Sequence, residues 1–164
     1  MLRKLLNYFR SSRGKEPSVP EIVANVEKGG SYMRVVPQVE ADLELMLEQA
    51  SQYRGSKQYE KSVEILNKVL DIFPNHFGAY IDRGLSYHLL GITEKAITDY
   101  SKAITINPRY YIAHVNLASV YIDLGRKEEA LKLYREVLAI IPSNRQTDVA
   151  EVNRLMNNLS KQGE

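Results

Sequence analysis

Counted back from Pro74, Pro108 and Pro142, which stand at intervals of 34 residues, the chain repeats one order of small, aromatic and apolar positions. Small residues stand 24 before each proline (Ala50, Gly84, Ala118) and 12 before (Ser62, Ala96, Ala130), and tyrosines stand 21 before (Tyr53, Tyr87, Tyr121). Leu66, Tyr100 and Tyr134 stand 8 before, and Val69, Ala103 and Val137 stand 5 before. A fixed period of roughly 20 to 50 residues marks a stack of supersecondary units rather than one wrapped core. Each unit predicts two helices that cross closely at their small residues, with Ala50, Gly84 and Ala118 opposite Ser62, Ala96 and Ala130. The tyrosines fill the space beside that crossing, their hydroxyls reaching water or a carbonyl. Gly91 and Gly125, 17 before the second and third prolines, supply the left-handed residue that ends a first helix. Proline lacks an amide donor and disfavours helical geometry in the residue before it, so Phe73-Pro74, Asn107-Pro108 and Ile141-Pro142 close the second helices. Asn75 and the Ser143-Asn144 pair suit the N-caps that follow. Beyond the third proline, Val149, Val152, Leu155, Met156 and Leu159 recur at helical spacing and predict a capping helix over residues 145–160.

This order resembles the tetratricopeptide repeat, a 34-residue helix-turn-helix unit with aromatic and small residues ahead of a proline. The match runs from Leu43 to Asn144, about three fifths of the chain, as units 43–76, 77–110 and 111–144. The resemblance implies an all-α solenoid of helical hairpins wound as a right-handed superhelix and closed by the capping helix. The first unit departs most from the pattern, with Met46 in place of a large aromatic, Gln49 in place of leucine and Lys57 in place of glycine. Terminal repeats are often atypical.

The resemblance also implies a concave groove lined by the first helices. Carried onto this chain, the lining stripe holds Glu44, Leu47, Glu48, Ser51 and Arg54 in the first unit. The second contributes Ile81, Asp82, Leu85, His88 and Leu89, and the third Ile112, Val115, Asn116, Ser119, Ile122 and Asp123. Apolar residues dominate, with an acidic fringe of Glu44, Glu48, Asp82 and Asp123, which suits an apolar or basic protein segment laid into a groove. One subgroup of the family grips chaperone-tail carboxylates with basic residues on this stripe. The corresponding places here hold Leu47, Ser51, Asp82, Ile112 and Asn116, which argues against heat-shock chaperone tails as partners.

Charge divides the chain unevenly. Residues 1–15 carry Arg3, Lys4, Arg10, Arg13 and Lys15 with no acid, while the remaining 17 basic and 20 acidic residues leave a balance of −3. Leu2, Leu5, Leu6 and Phe9 recur at helical spacing, so a helix over this stretch is apolar on one face and basic on the other. Such a segment suits an anionic membrane surface, a protein surface including the groove of the same or a neighbouring molecule, or a mitochondrial presequence. The chain is thus expected in the cytoplasm, at a membrane periphery if the segment anchors it, or in the mitochondrial matrix if the segment is a presequence. Residues 16–39 form a linker: Pro17, Ser18 and Pro20 break it, Glu21 to Lys28 suit two short helical turns, and Gly29-Gly30 end them. An extended piece around Val35-Val36-Pro37 then leads to Glu40, where helical patterning starts.

Little else in the sequence points to chemistry. The chain has no cysteine, and therefore no disulfide, thiolate nucleophile or cysteine-ligated zinc. No run approaches the roughly 18 apolar residues of a membrane-spanning helix. His76, His88 and His114 are scattered, with no paired-histidine motif, glycine-rich phosphate loop or serine elbow, so the chain reads as a non-enzyme without cofactor or metal. The resemblance puts His114 at the place of a large core residue of its first helix, and His88 on the groove with no second residue in the sequence pattern to support a role. Basic residues along the repeats alternate with acids, unlike a nucleic-acid-binding stripe. Asn158-Leu159-Ser160 matches a glycosylation acceptor without a secretory signal to give it meaning. The expected role is a protein-binding scaffold or adaptor, with a membrane-peripheral or organelle-targeted assembly factor as the alternative.

Overall fold

Short amphipathic segments bounded by proline and glycine cannot bury their apolar stripes alone, so they pair. The computed structural model describes residues 36–161, and the expectations for residues 1–15 and for 16–35 of the linker lie outside the described residues. In order, the helices are α1 (Val36–Gly55), α2 (Tyr59–Ile72), α3 (Phe77–Leu89), α4 (Thr93–Ile106), α5 (Tyr111–Asp123), α6 (Lys127–Ile140) and α7 (Gln146–Lys161). The chain is all-α over the described residues. Helix α1 begins at Val36, ahead of the expected start at Glu40, and so includes Val36-Pro37, which the sequence suggested as extended. Proline in a first turn gives up only an amide that has no intrahelical partner there.

The helix ends repeat as closely as the sequence does. The amides of Phe73, Asn107 and Ile141, each just before a proline, close α2, α4 and α6 by donating to the carbonyls of Val69, Ala103 and Val137. The first helices end alike in all three units: the amides of Gln58, Ile92 and Arg126 donate to the carbonyls of Tyr53, Tyr87 and Tyr121 at 2.8, 2.8 and 2.7 Å. Gly91 and Gly125 take the left-handed φ this turn requires, 73° and 71°, and Lys57 is forced to 59° in their place. A side chain in that conformation costs about 1–2 kcal/mol. The expected caps are not the ones used. His76, not Asn75, caps α3, its Nδ1 accepting from the Ala79 amide at 2.9 Å. Ahead of α7 neither Ser143 nor Asn144 caps by a side-chain bond, and the helix opens with ordinary backbone bonds from the Asp148 and Val149 amides to the Arg145 carbonyl.

The small residues are all buried, as the repeat requires. At Gly84 the nearest neighbour is not Ala96: a Cβ there would meet the Tyr100 ring at 3.0 Å and Asp99 Cβ at 3.3 Å. Glycine is thus needed to let the Tyr100 ring approach α3 this closely. Each repeat tyrosine carries a cation over its ring: Lys61 over Tyr53, Lys95 over Tyr87, and Arg126 over Tyr121 at 5.5, 5.2 and 4.4 Å.

Hairpin α1/α2 packs on α3, hairpin α3/α4 on α5, and α7 on α6. Val152 and Leu159 of α7 are buried, with Leu155 and Met156 packed beside them, so the capping helix covers the end of the stack. Tyr111 fastens it, its hydroxyl donating to Asp148 at 2.5 Å while Arg145 holds the same carboxylate at 2.7 Å. These bonds, Tyr111 first, hold the Asp148 carboxyl below the usual carboxylate range. Consecutive first helices also touch, α1 with α3 and α3 with α5, and no contact of that extent joins successive second helices. A stack whose elements approach on one side and diverge on the other curves toward the first, so the first helices line its inner face.

Candidate functional site: the face of the first helices

Along this face, the residues 20 positions before the first two prolines reach across to the next unit. Arg54 Nη1 donates to Asp82 Oδ1 at 2.7 Å, joining α1 to α3. His88 Nε2 lies 2.6 Å from Asp123 Oδ2, joining α3 to α5. His88 therefore has the second residue that the sequence pattern did not reveal. The acidic fringe is smaller than the sequence suggested at Asp82, which Arg54 matches internally, while Asp123 is hydrogen-bonded to His88, a partner that carries charge only when protonated. Glu44 and Glu48 remain exposed with no cation beside them among the described residues; Glu48 accepts only from Gln52, at 3.2 Å. Among the described residues, the two stripe acids with neither a cation nor an imidazole beside them are both on α1.

The apolar part of the stripe also divides. Ile81 is not available to a ligand: it is 9% exposed and belongs to the core shared by the second and third units. Leu85, Val115 and Ile122 are half-buried against that same core, and Leu47 against the core of the first unit. Ile112 and Leu89 stand out, 37% and 49% exposed. Ser51 is exposed and weakly bonded by Arg54, while Asn116 and Ser119 are half-buried between the apolar positions. The face thus offers an apolar centre on α3 and α5 and an acidic flank on α1.

Behind this face lies a polar network that the sequence reading missed. Arg83 grips the nearly buried Asp99 of α4 with two bonds of 2.8 and 2.7 Å, and donates to Asn67 of α2 at 2.7 Å. Its guanidinium stacks on Tyr80 and Tyr87 at 5.5 and 5.9 Å. The buried Ser86 and Ser62 hydroxyls meet at 3.1 Å, and Ser86 also donates to the Asp82 carbonyl at 2.9 Å. One helix, α3, is thereby pinned to α2 and α4 while it presents Asp82, Leu85, His88 and Leu89 to the inner face. Burial pushes the Tyr100 phenol far above its ordinary range. His114 is buried, as its place in the repeat predicts. Among the described residues no group of acids and histidines is arranged to hold a metal ion, and no helix is long and apolar enough to cross a membrane.

Comparison with known proteins places this geometry. Models of the tetratricopeptide repeat match residues 44–76, 78–110 and 111–144. Among solved structures, the first such domain of Spaghetti (RPAP3), bound to an HSP90 peptide, is 22% identical with a TM-score of 0.64, covering 73% of this chain and 91% of that one. The TPR2B domain of yeast Sti1, in complex with pHsp70, is 20% identical with a TM-score of 0.68, covering 73% and 97%. The Yersinia enterocolitica secretion chaperone SycD, in complex with a YopD peptide, is 15% identical with a TM-score of 0.70, covering 76% and 96%. At these identities the likeness is one of fold. No curated protein matches the chain. The three consecutive matches fall on the three hairpins, and the chain belongs to the tetratricopeptide repeat family.

Proposed function

We propose that this protein is a non-catalytic interaction scaffold that holds a segment of a protein partner against its first helices. The observation that carries this reading is the apolar stripe of the inner face, in which half-buried Leu85, Val115 and Ile122 lie between exposed Ile112 at the start of α5 and exposed Leu89 at the end of α3. A monomeric surface has no structural need to gather apolar side chains on one stripe. Proteins of the same fold hold peptides, as the Spaghetti domain does an HSP90 peptide and SycD a YopD peptide. The ligand chemistry proposed here differs from a chaperone tail: the one arginine on the stripe is occupied by Asp82, which leaves an acidic peptide terminus without a free cationic donor. An apolar segment with basic residues at one end fits instead.

The test is affinity capture with the intact chain, comparing wild type with Ile112→Arg. Ile112 is exposed, so the variant keeps its helical content while placing a charge on the apolar stripe at the start of α5. Loss of the captured partner supports the groove; undiminished capture moves the site to another face.

A further inference from the structure

The exposed acids of the inner face differ in how firmly they are held. Glu48 is steadied only by Gln52 of its own helix, at 3.2 Å. Asp123 is steadied from a neighbouring helix, because His88 Nε2 of α3 lies 2.6 Å from its Oδ2 across the joint to α5. A carboxylate only accepts, so Nε2 carries the hydrogen, and a neutral His88 fixes the carboxylate without cancelling its charge. The second oxygen, Oδ1, has no hydrogen-bond partner among the described residues, and the side chain is 63% exposed. Arg126, the nearest cation in the sequence, is engaged elsewhere: it bonds Glu129 at 2.8 Å and lies over the Tyr121 ring.

We infer, resting on the groove proposed above, that Asp123 anchors a basic side chain of the partner and that His88 positions the anchor. The surroundings fit the remainder of such a side chain. Leu89 ends α3 and Leu124 caps α5, each one residue beyond the bonded pair, and they are 49% and 43% exposed. The aliphatic stem of a lysine or arginine covers apolar surface of this kind while its charged head meets the carboxylate. An anchor already fixed before binding costs the complex little ordering entropy. Its place also orients the partner. Ile122, Val115 and Ile112 lie 1, 8 and 11 residues before Asp123 on the same helix. At 1.5 Å per residue, apolar positions therefore extend about 16 Å away from the carboxylate. The partner sets its basic residue at the end of α5, beside Leu89 and Leu124, and its apolar residues toward Ile112.

The test uses a defined probe, the acetylated and amidated peptide Arg-Ser-Leu-Ser-Leu-Ser-Leu, which in extended form carries its arginine and leucines on one face over about 20 Å. Titrated into the full chain at pH 8, where an imidazole is ordinarily neutral, it should shift the NMR amide signals of Leu89, Asp123, Leu124 and Ile112. The same peptide with citrulline in place of arginine should bind about tenfold more weakly, the size of one charge-assisted contact. Asp123→Asn should bring the arginine peptide down to the citrulline level. His88→Gln still donates to the carboxylate and should keep most of the preference for arginine, whereas His88→Leu, which cannot donate, should lose most of it. Silence at Leu89, Asp123 and Leu124 overturns the inference, as does equal binding of the two peptides or a preference that survives Asp123→Asn. A preference abolished by Glu48→Gln instead would put the anchor on α1 and overturn it as well. The Ile112→Arg capture decides the groove separately: a partner lost with Ile112→Arg from a protein whose Asp123 ignores the arginine probe leaves the scaffold standing and removes the anchor.

Discussion

The second and third repeats fill the same places with opposite chemistry. Counted back 25, 22 and 9 residues from the proline, the second unit has Arg83, Ser86 and Asp99, and the third has Leu117, Val120 and Leu133. All three of the latter are buried in one apolar core that runs from Ile81 of α3 through α4, α5 and α6 to α7. In the second unit those places hold the ion pair and the buried hydroxyl that pin α3 to α2 and α4. The first unit's core is a separate cluster that reaches α3 only through Ala79 and the partly buried Tyr80. The joint between the first two units is therefore directional and polar, and the joint between the second and third is apolar. A hydrophobic seam contributes by area and tolerates sliding, whereas a seam of hydrogen bonds holds one register. The helix fixed this way is α3, the central element of the proposed groove.

That contrast can be broken most forcefully at Arg83. Arg83→Met leaves the Asp99 carboxylate, 3% exposed, without its partner and should cost about 3–5 kcal/mol in urea unfolding. Converting the place to its third-repeat form with Arg83→Leu and Asp99→Leu together should recover that loss or exceed it. A double variant as unstable as the single one would show that the two repeats are not equivalent in geometry. Gly84→Leu strikes the helix crossing that both joints depend on, because its side chain must displace the Tyr100 ring; a loss of about 1–3 kcal/mol is expected, read as a lower thermal midpoint.

Smaller effects separate the joints themselves. Ser62→Ala or Ser86→Ala leaves one buried hydroxyl short of a bond and should cost about 1 kcal/mol, with a double-mutant cycle showing positive coupling between them. Lys57→Gly should stabilise the first unit by about 1 kcal/mol through relief of its left-handed φ, and Gly125→Ala should destabilise the third by a similar amount. Asp123→Asn should matter least. It weakens a largely exposed pair across a joint already held by apolar contact, and the expected change is about 0–1 kcal/mol.

How much of this was legible in the sequence follows from what a repeat can and cannot encode. Prolines and glycines act within a few residues of their own position, so the ends of α2, α4 and α6 and the turns at Gly91 and Gly125 could be read directly. The α7 lid was legible from its apolar spacing, and the stripe on the first helices from the repeat. Pairings between units were not, because Arg54 and Asp82 are 28 residues apart and His88 and Asp123 are 35 apart, and no single offset predicts both. The same limit hid the neutralisation of Asp82 by Arg54 and the contact of Asp123 with His88. Arg83 and Asp99 escaped because they are exceptions to the repeat, visible only once Leu117 and Leu133 show what the places usually hold. His76 displaced Asn75 as a cap because an imidazole nitrogen accepts an amide as a carboxamide oxygen does, a choice settled by the path of the chain after Pro74.

The most direct test of the account is to place a photo-cross-linking amino acid at Ile112, on the inner face, or at Lys102, on a second helix, and to irradiate each intact protein with its captured partner. The account predicts a cross-link from position 112 and none from 102. A cross-link from 102 alone would contradict it, because the partner would then sit on the outer helices and the apolar stripe of the first helices would not be its site.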